Sequence, residues 1–151
     1  MKGLYADPSK RDVIGSLVRS YYDSLVGANG GAFTPEQSEA VEPPTSLVWT
    51  LYFLAQHECA LGRHESALDL LEKAIAHTPT LPELHLAKAR VLKRAGADPK
   101  EAVKAIELAR SLDGQDRFLN SKSVKYHLRA DLNDEAESLA GLFTKVRRAG
   151  L

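Results

Sequence analysis

Cysteine occurs once in the 151 residues, at Cys59, so no disulfide can close within the chain and no Cys-rich zinc site can form. Such thiol-poor usage fits a reducing compartment, and a cytoplasmic protein is expected. Long hydrophobic runs are also missing. The longest, Leu47 to Ala55, is interrupted by Thr50 and falls far short of the roughly 18 residues a membrane span needs. The opening MKGLYADPSKRD has no apolar targeting segment, so no membrane association is expected. Nor is there an excess of charge of one sign. Lys plus Arg number 20 and Asp plus Glu number 20, which excludes a strongly basic nucleic-acid binder and any direct DNA contact driven by net charge. What is present, 44% hydrophobic and 26% charged residues, is the balance of a globular chain and not of a disordered one.

Turn residues divide the chain. Asp7 and Pro8 read as an N-cap and first helical residue, and Val13, Ile14, Leu17, Val18, Tyr21, Tyr22 and Leu25 then recur at helical spacing. Residues 7–26 are expected to form an amphipathic helix. Residues 27–46, with Gly27, Gly30, Gly31, Pro35, Pro43 and Pro44, are expected to be a long loop. Beyond it, breaks at Gly62, Thr78–Thr80, Gly96–Asp98, Asp113–Gln115 and Ala130–Asn133 separate six helical stretches with no strand signal between them. Thr80 and Glu83 have capping-box spacing, and Asp98, Pro99 and Glu101 supply the residue types of an N-terminal turn. The last helix is expected over Glu135–Arg148, with Leu139, Leu142, Phe143 and Val146 on one face.

Self-comparison reveals a repeat. Ala55 and Ala89, and Gly62 and Gly96, are spaced by 34, whereas Ala67 and Ala102, and Ala74 and Ala109, are spaced by 35; Ser123 and Ala136 continue the series at 34. Small residues in both helices, glycine at the turn and Pro79 at the end resemble the tetratricopeptide repeat, in which alanines let the two helices of a hairpin approach closely. Leu51, Leu54, Leu68, Leu71 and Ile75 are expected to fill the space between pairs. The expected fold is all-α, a tetratricopeptide-like antiparallel helix-pair solenoid over residues 47–148, with repeats at 48–81, 82–115 and 116–148 and one further helix in front.

Catalytic patterns fail on spacing. His57, Glu58, Cys59 and His64 gather ligand types, but a zinc-binding helix needs its second His four residues after the first, where Leu61 stands. The segment GANGGA follows a helix and lacks a succeeding Gly-Lys-Ser/Thr, so it is no phosphate-cradling loop. Carboxylate pairs such as Asp69 with Glu72 belong to solvated helix faces. No catalytic residue, metal site or catalytic cofactor is expected.

The zero total hides an uneven distribution. Residues 85–129 hold eleven Lys or Arg against five acids, a difference of +6. Lys88 and Lys122 are one repeat apart, and Lys122, Lys125, Tyr126 and Arg129 share one helical face. Like charges so stacked repel unless an anion lies between them, so this face is expected to bind a polyanion or an acidic partner surface.

Local wording is more specific than the repeat. Pro43-Pro44-Thr45, Tyr52-Phe53-Leu54-Ala55-Gln56-His57, His77-Thr78-Pro79-Thr80-Leu81, Ser111-Leu112-Asp113 and Asp116-Arg117-Phe118-Leu119-Asn120-Ser121-Lys122 closely resemble the auxiliary subunit of the NatA N-terminal acetyltransferase. The resemblance spans most of residues 10–145. It implies an internal segment of a long helical scaffold that encircles a GNAT-fold catalytic subunit and, when complete, tethers it to ribosomes. It also implies inositol hexakisphosphate held by basic residues between the subunits. Lys88 and Lys122 match best, with Phe118, Lys125, Tyr126 and Arg129 as further candidates. No acetyl-CoA signature Gln/Arg-x-x-Gly-x-Gly/Ala occurs, so acetyl transfer would belong to another chain. The alternative is a free-standing tetratricopeptide module gripping a peptide, like co-chaperones that clamp acidic C-termini; such a clamp needs Lys and Asn where this chain has Tyr52 and Gln56.

Overall fold

The structure, a computed structural model, describes residues 2–27 and 42–144. The Gly-rich part of the expected 27–46 loop and the end of the expected last helix, Val146 and Arg148 included, lie outside the described residues. Those residues form eight helices and no strand: α1 Lys2–Tyr5, α2 Pro8–Val26, α3 Pro44–Ala60, α4 His64–His77, α5 Pro82–Ala95, α6 Pro99–Leu112, α7 Arg117–Arg129 and α8 Asn133–Gly141. They divide into two compact units, Met1–Pro79 and Thr80–Leu151.

In the first unit, α3 and α4 form a hairpin against which α2 lies. The Asp7 carboxylate accepts from the Ser9 N–H at 3.0 Å and Pro8 occupies the first turn, so the start of α2 is capped as its sequence requires. The apolar residues of α2 do not act as one stripe: Leu25 is buried, whereas Val13 and Leu17 face solvent. Helix α3 takes in Pro44, expected in the loop, because a first-turn proline has no N–H to leave unsatisfied. Leu51, Leu54, Ala55, Ala67, Leu71 and Ala74 make the hairpin interior, while Leu68 and Ile75 are only half-buried.

In the second unit, α5 pairs with α6, α6 with α7 and α7 with α8. The expected capping box at Thr80 does not form. Pro82 drives the residue before it into extended backbone, so Leu81 becomes the cap residue, without a side-chain acceptor. Asp98 and Asp116 do cap: their carboxylates accept from the Lys100 N–H at 2.9 Å and the Phe118 N–H at 2.7 Å. The last helix starts at Asn133 and stops at Gly141, earlier than expected, leaving Leu142 exposed. Glycine is a poor helix residue, and the apolar face continues past it only as turn.

The repeat has a direct structural meaning. Ala55, Ala89 and Ser123 are each wholly buried, as are Ala67 and Ala74. Small side chains stand where helix backbones approach most closely. At the turns, Gly62 and Gly96 take φ of 79° and 71°, and the third turn, which lacks glycine, places Asp131 at 57°. A side chain in this left-handed region is disfavoured, and Asp is among the few residues that tolerate it. Asp131→Gly is expected to raise the unfolding free energy by about 0.5–1 kcal/mol, measured by urea denaturation; an unchanged or lowered midpoint would show that the carboxylate compensates for its backbone.

Candidate polyanion-binding groove

Helix α5 carries Arg90, Lys93 and Arg94 toward its C-terminal end, and α7 carries Lys122, Tyr126 and Arg129 along one side. Between them the left-handed Gly96 closes α5, and Ala97 and Pro99 lead into α6. The result is a groove of about 320 Å³ walled by Lys93, Gly96, Ala97, Pro99, Ala102, Tyr126 and Arg129. Its floor is firm. Tyr126 is 4% exposed and belongs to the same apolar core as Leu86, Ala89, Ala102, Ile106 and Leu119.

The electrostatics are one-sided. The Lys93 ammonium is held below the usual lysine range, first by loss of hydration and then by Arg129, Arg94, Lys122 and Arg90. Burial pushes the Tyr126 phenol up, against the opposing pull of Arg90, Arg129 and Arg94. Among the described residues no carboxylate pairs with Lys93, Lys122 or Arg129. The cations lie on aromatic faces instead: Arg129 is 5.8 Å from the Tyr126 ring centre and Lys122 is 5.0 Å from that of Phe118. Guanidinium forks and ammonium groups around one concavity are suited to a ligand with several phosphates.

Of the six residues expected from the sequence, Tyr126 and Arg129 line the groove, and Lys122 contributes its field at Lys93. Phe118 is half-exposed beneath Lys122 and outside the lining; Lys125 is exposed and Lys88 half-buried, both also outside it. The residues that sequence reasoning did not nominate are Arg90, Lys93 and Arg94. The available signal was their position in the last turns before the Gly96 break.

The remaining polar clusters among the described residues are held by partners within the chain. His57 is buried, and its Nδ1 meets the Tyr5 hydroxyl at 2.8 Å; burial holds its imidazole below the usual histidine range. The Glu58 carboxylate accepts from Arg19 at 2.8 Å and Arg63 at 3.2 Å. The described residues contain no group of three or more His, Cys, Asp or Glu side chains able to hold a metal. Ser123, His127 and Glu107 superficially resemble a hydrolase triad, but Ser123 is inaccessible and its hydroxyl donates to the Glu107 carboxylate. Burial pushes the Glu107 carboxyl up, yet hydrogen bonds from Arg110 and Ser123 and the charges of Arg110 and His127 together leave it below the usual range. No described helix is long and apolar enough to cross a membrane.

Residues 1–149 match the family of the N-terminal acetyltransferase A auxiliary subunit. The human protein named N-alpha-acetyltransferase 16, NatA auxiliary subunit, is 46% identical over 145 residues, 96% of this chain and 16% of its own length. An Arabidopsis thaliana N-terminal acetyltransferase A complex auxiliary subunit, NAA15, is 41% identical over the same shares. A solved structure described as Naa15/Naa10 bound to HypK-THB superposes with a TM-score of 0.81 at 36% identity, covering 99% of this chain and 21% of that one. The chain thus spans about 16% of the curated relatives it matches. With its tetratricopeptide-like hairpins and this extent of identity, the chain belongs to the NatA auxiliary-subunit family.

Proposed function

We propose that the chain is a non-catalytic scaffold segment of a cytoplasmic NatA-type N-terminal acetyltransferase, and that its α5–α7 groove holds inositol hexakisphosphate beside a GNAT-fold catalytic subunit. Acetyl transfer belongs to that partner, and any ribosome contact belongs to the complete auxiliary subunit. The observation that carries the polyphosphate reading is the set of cations acting on Lys93, with no acid among the described residues paired to Lys93, Lys122 or Arg129. Bringing them together costs Coulomb energy that a polyanion would recover. The comparison with auxiliary subunits supports the scaffold reading.

Isothermal titration of the chain with inositol hexakisphosphate, with and without an added NatA catalytic subunit, tests this. Saturable binding is expected, weakened about 100-fold in a Lys93→Glu, Arg129→Glu variant and reduced as salt rises. Equal affinity of the variant and the parent, or no binding in either arrangement, would overturn the polyphosphate site.

A further inference from the structure

The seat of α1 and α2 on α3 is built around one histidine. His57, on α3, is 4% exposed and touches both of the helices that precede it. From α1, the Tyr5 hydroxyl meets its Nδ1 at 2.8 Å, and the two rings stand edge-on with their centres 5.6 Å apart. From α2, the Gly15 backbone comes so close to the other ring nitrogen that a methyl group there would lie 2.6 Å from Nε2. Nε2 makes no hydrogen bond among the described residues. The next residue of α3 fastens α2 a second time: the buried Glu58 carboxylate accepts from Arg19 of α2 as well as from Arg63, in the turn before α4.

We infer that this joint is an acid-sensitive latch, in which a proton taken up by His57 loosens α1 and α2 from α3. A neutral imidazole carries one N–H, whereas an imidazolium carries one on each nitrogen. The Tyr5 oxygen can accept from Nδ1, but an N–H at Nε2 would point at Gly15, where no acceptor awaits it among the described residues. A donor buried without an acceptor is costly, and the cost falls on the contact between α2 and α3. Burial opposes the charge; Glu58 favours it, Arg63 and Arg19 oppose it, and Asp12 favours it, with Glu58 already engaged by both arginines. Helix α4, which also pairs with α3, supplies none of these charges. The balance holds the docked imidazole below the usual histidine range, so the undocked ring takes up its proton at higher pH than the docked one. Docking is therefore at full strength above about pH 6.5 and weakens as pH falls below it.

The test is amide hydrogen exchange of the whole chain from about pH 7.5 to about pH 5.5, corrected for the intrinsic pH dependence of exchange. Protection of the α2 amides is expected to fall about tenfold over that range, while that of α4, in the same unit, holds. In a His57→Asn variant, whose side chain cannot take up a proton, α2 protection should not change with pH. Constant α2 protection in the unaltered chain, an equal fall in α4, or a fall that survives in the variant would overturn the latch. The ring nitrogens of His57, followed by NMR in the unaltered chain, give a reading that needs no substitution. They should titrate below the usual histidine range, and titration at or above it would overturn the latch whether or not the variant folds.

Discussion

Ile106→Ala is expected to lower the unfolding free energy of the Thr80–Leu151 unit by about 2–5 kcal/mol, read from urea denaturation. Ile106 has no exposed surface and sits in one cluster with Leu86, Ala89, Ala102, Ala109, Leu119 and Tyr126. Three of those neighbours are alanines, whose short side chains cannot swing into the space vacated, so most of the cavity should persist. Tyr126 belongs to the same cluster and floors the basic groove, so on the proposed polyphosphate reading the variant should also weaken binding without any change of charge. Leu108→Ala, two positions along the same helix at a half-exposed site, is the control and should change stability by less than about 0.5 kcal/mol. Similar losses at both positions would mean that the α5–α6–α7 core is not packed as described.

The second large effect lies in the first unit. Glycine inside a helix ordinarily costs about 1 kcal/mol relative to alanine, so Gly15→Ala should stabilise α2 if only helix propensity mattered. A methyl group at Gly15, however, would lie 2.6 Å from Nε2 of His57. The imidazole has little room to retreat, because it is buried and its other nitrogen is tied to the Tyr5 hydroxyl. Overpacking should prevail, with a net loss of about 1–2 kcal/mol. In a His57→Ala background the clash disappears, and the same Gly15→Ala change should become neutral or stabilising, a strong departure from additivity. Stabilisation by Gly15→Ala alone would mean that α2 does not approach α3 this closely.

Most of the helix boundaries were legible because they are written in residues with a local mechanism. Asp7, Asp98 and Asp116 cap, Gly62 and Gly96 turn left-handed, and the alanines recur where backbones meet. Thr80 misled because two valid local rules compete there, and the steric demand of Pro82 outweighs a capping hydroxyl. The site was less legible than the fold. A repeat aligns Lys88 with Lys122, but register along a helix does not specify how far a turn brings a neighbouring side chain forward, and the groove selected Lys93 instead.

Four helices, α2, α3, α5 and α6, have proline in the first turn. Because proline donates no hydrogen bond and disfavours helical backbone in the residue before it, none of these helices can grow backwards at the expense of its connection. Their starting points are fixed stops. A pull on the chain therefore cannot be absorbed by winding turn residues into these helices at their N-terminal ends. It must be taken up elsewhere in the backbone, because these four starting points do not shift along the sequence.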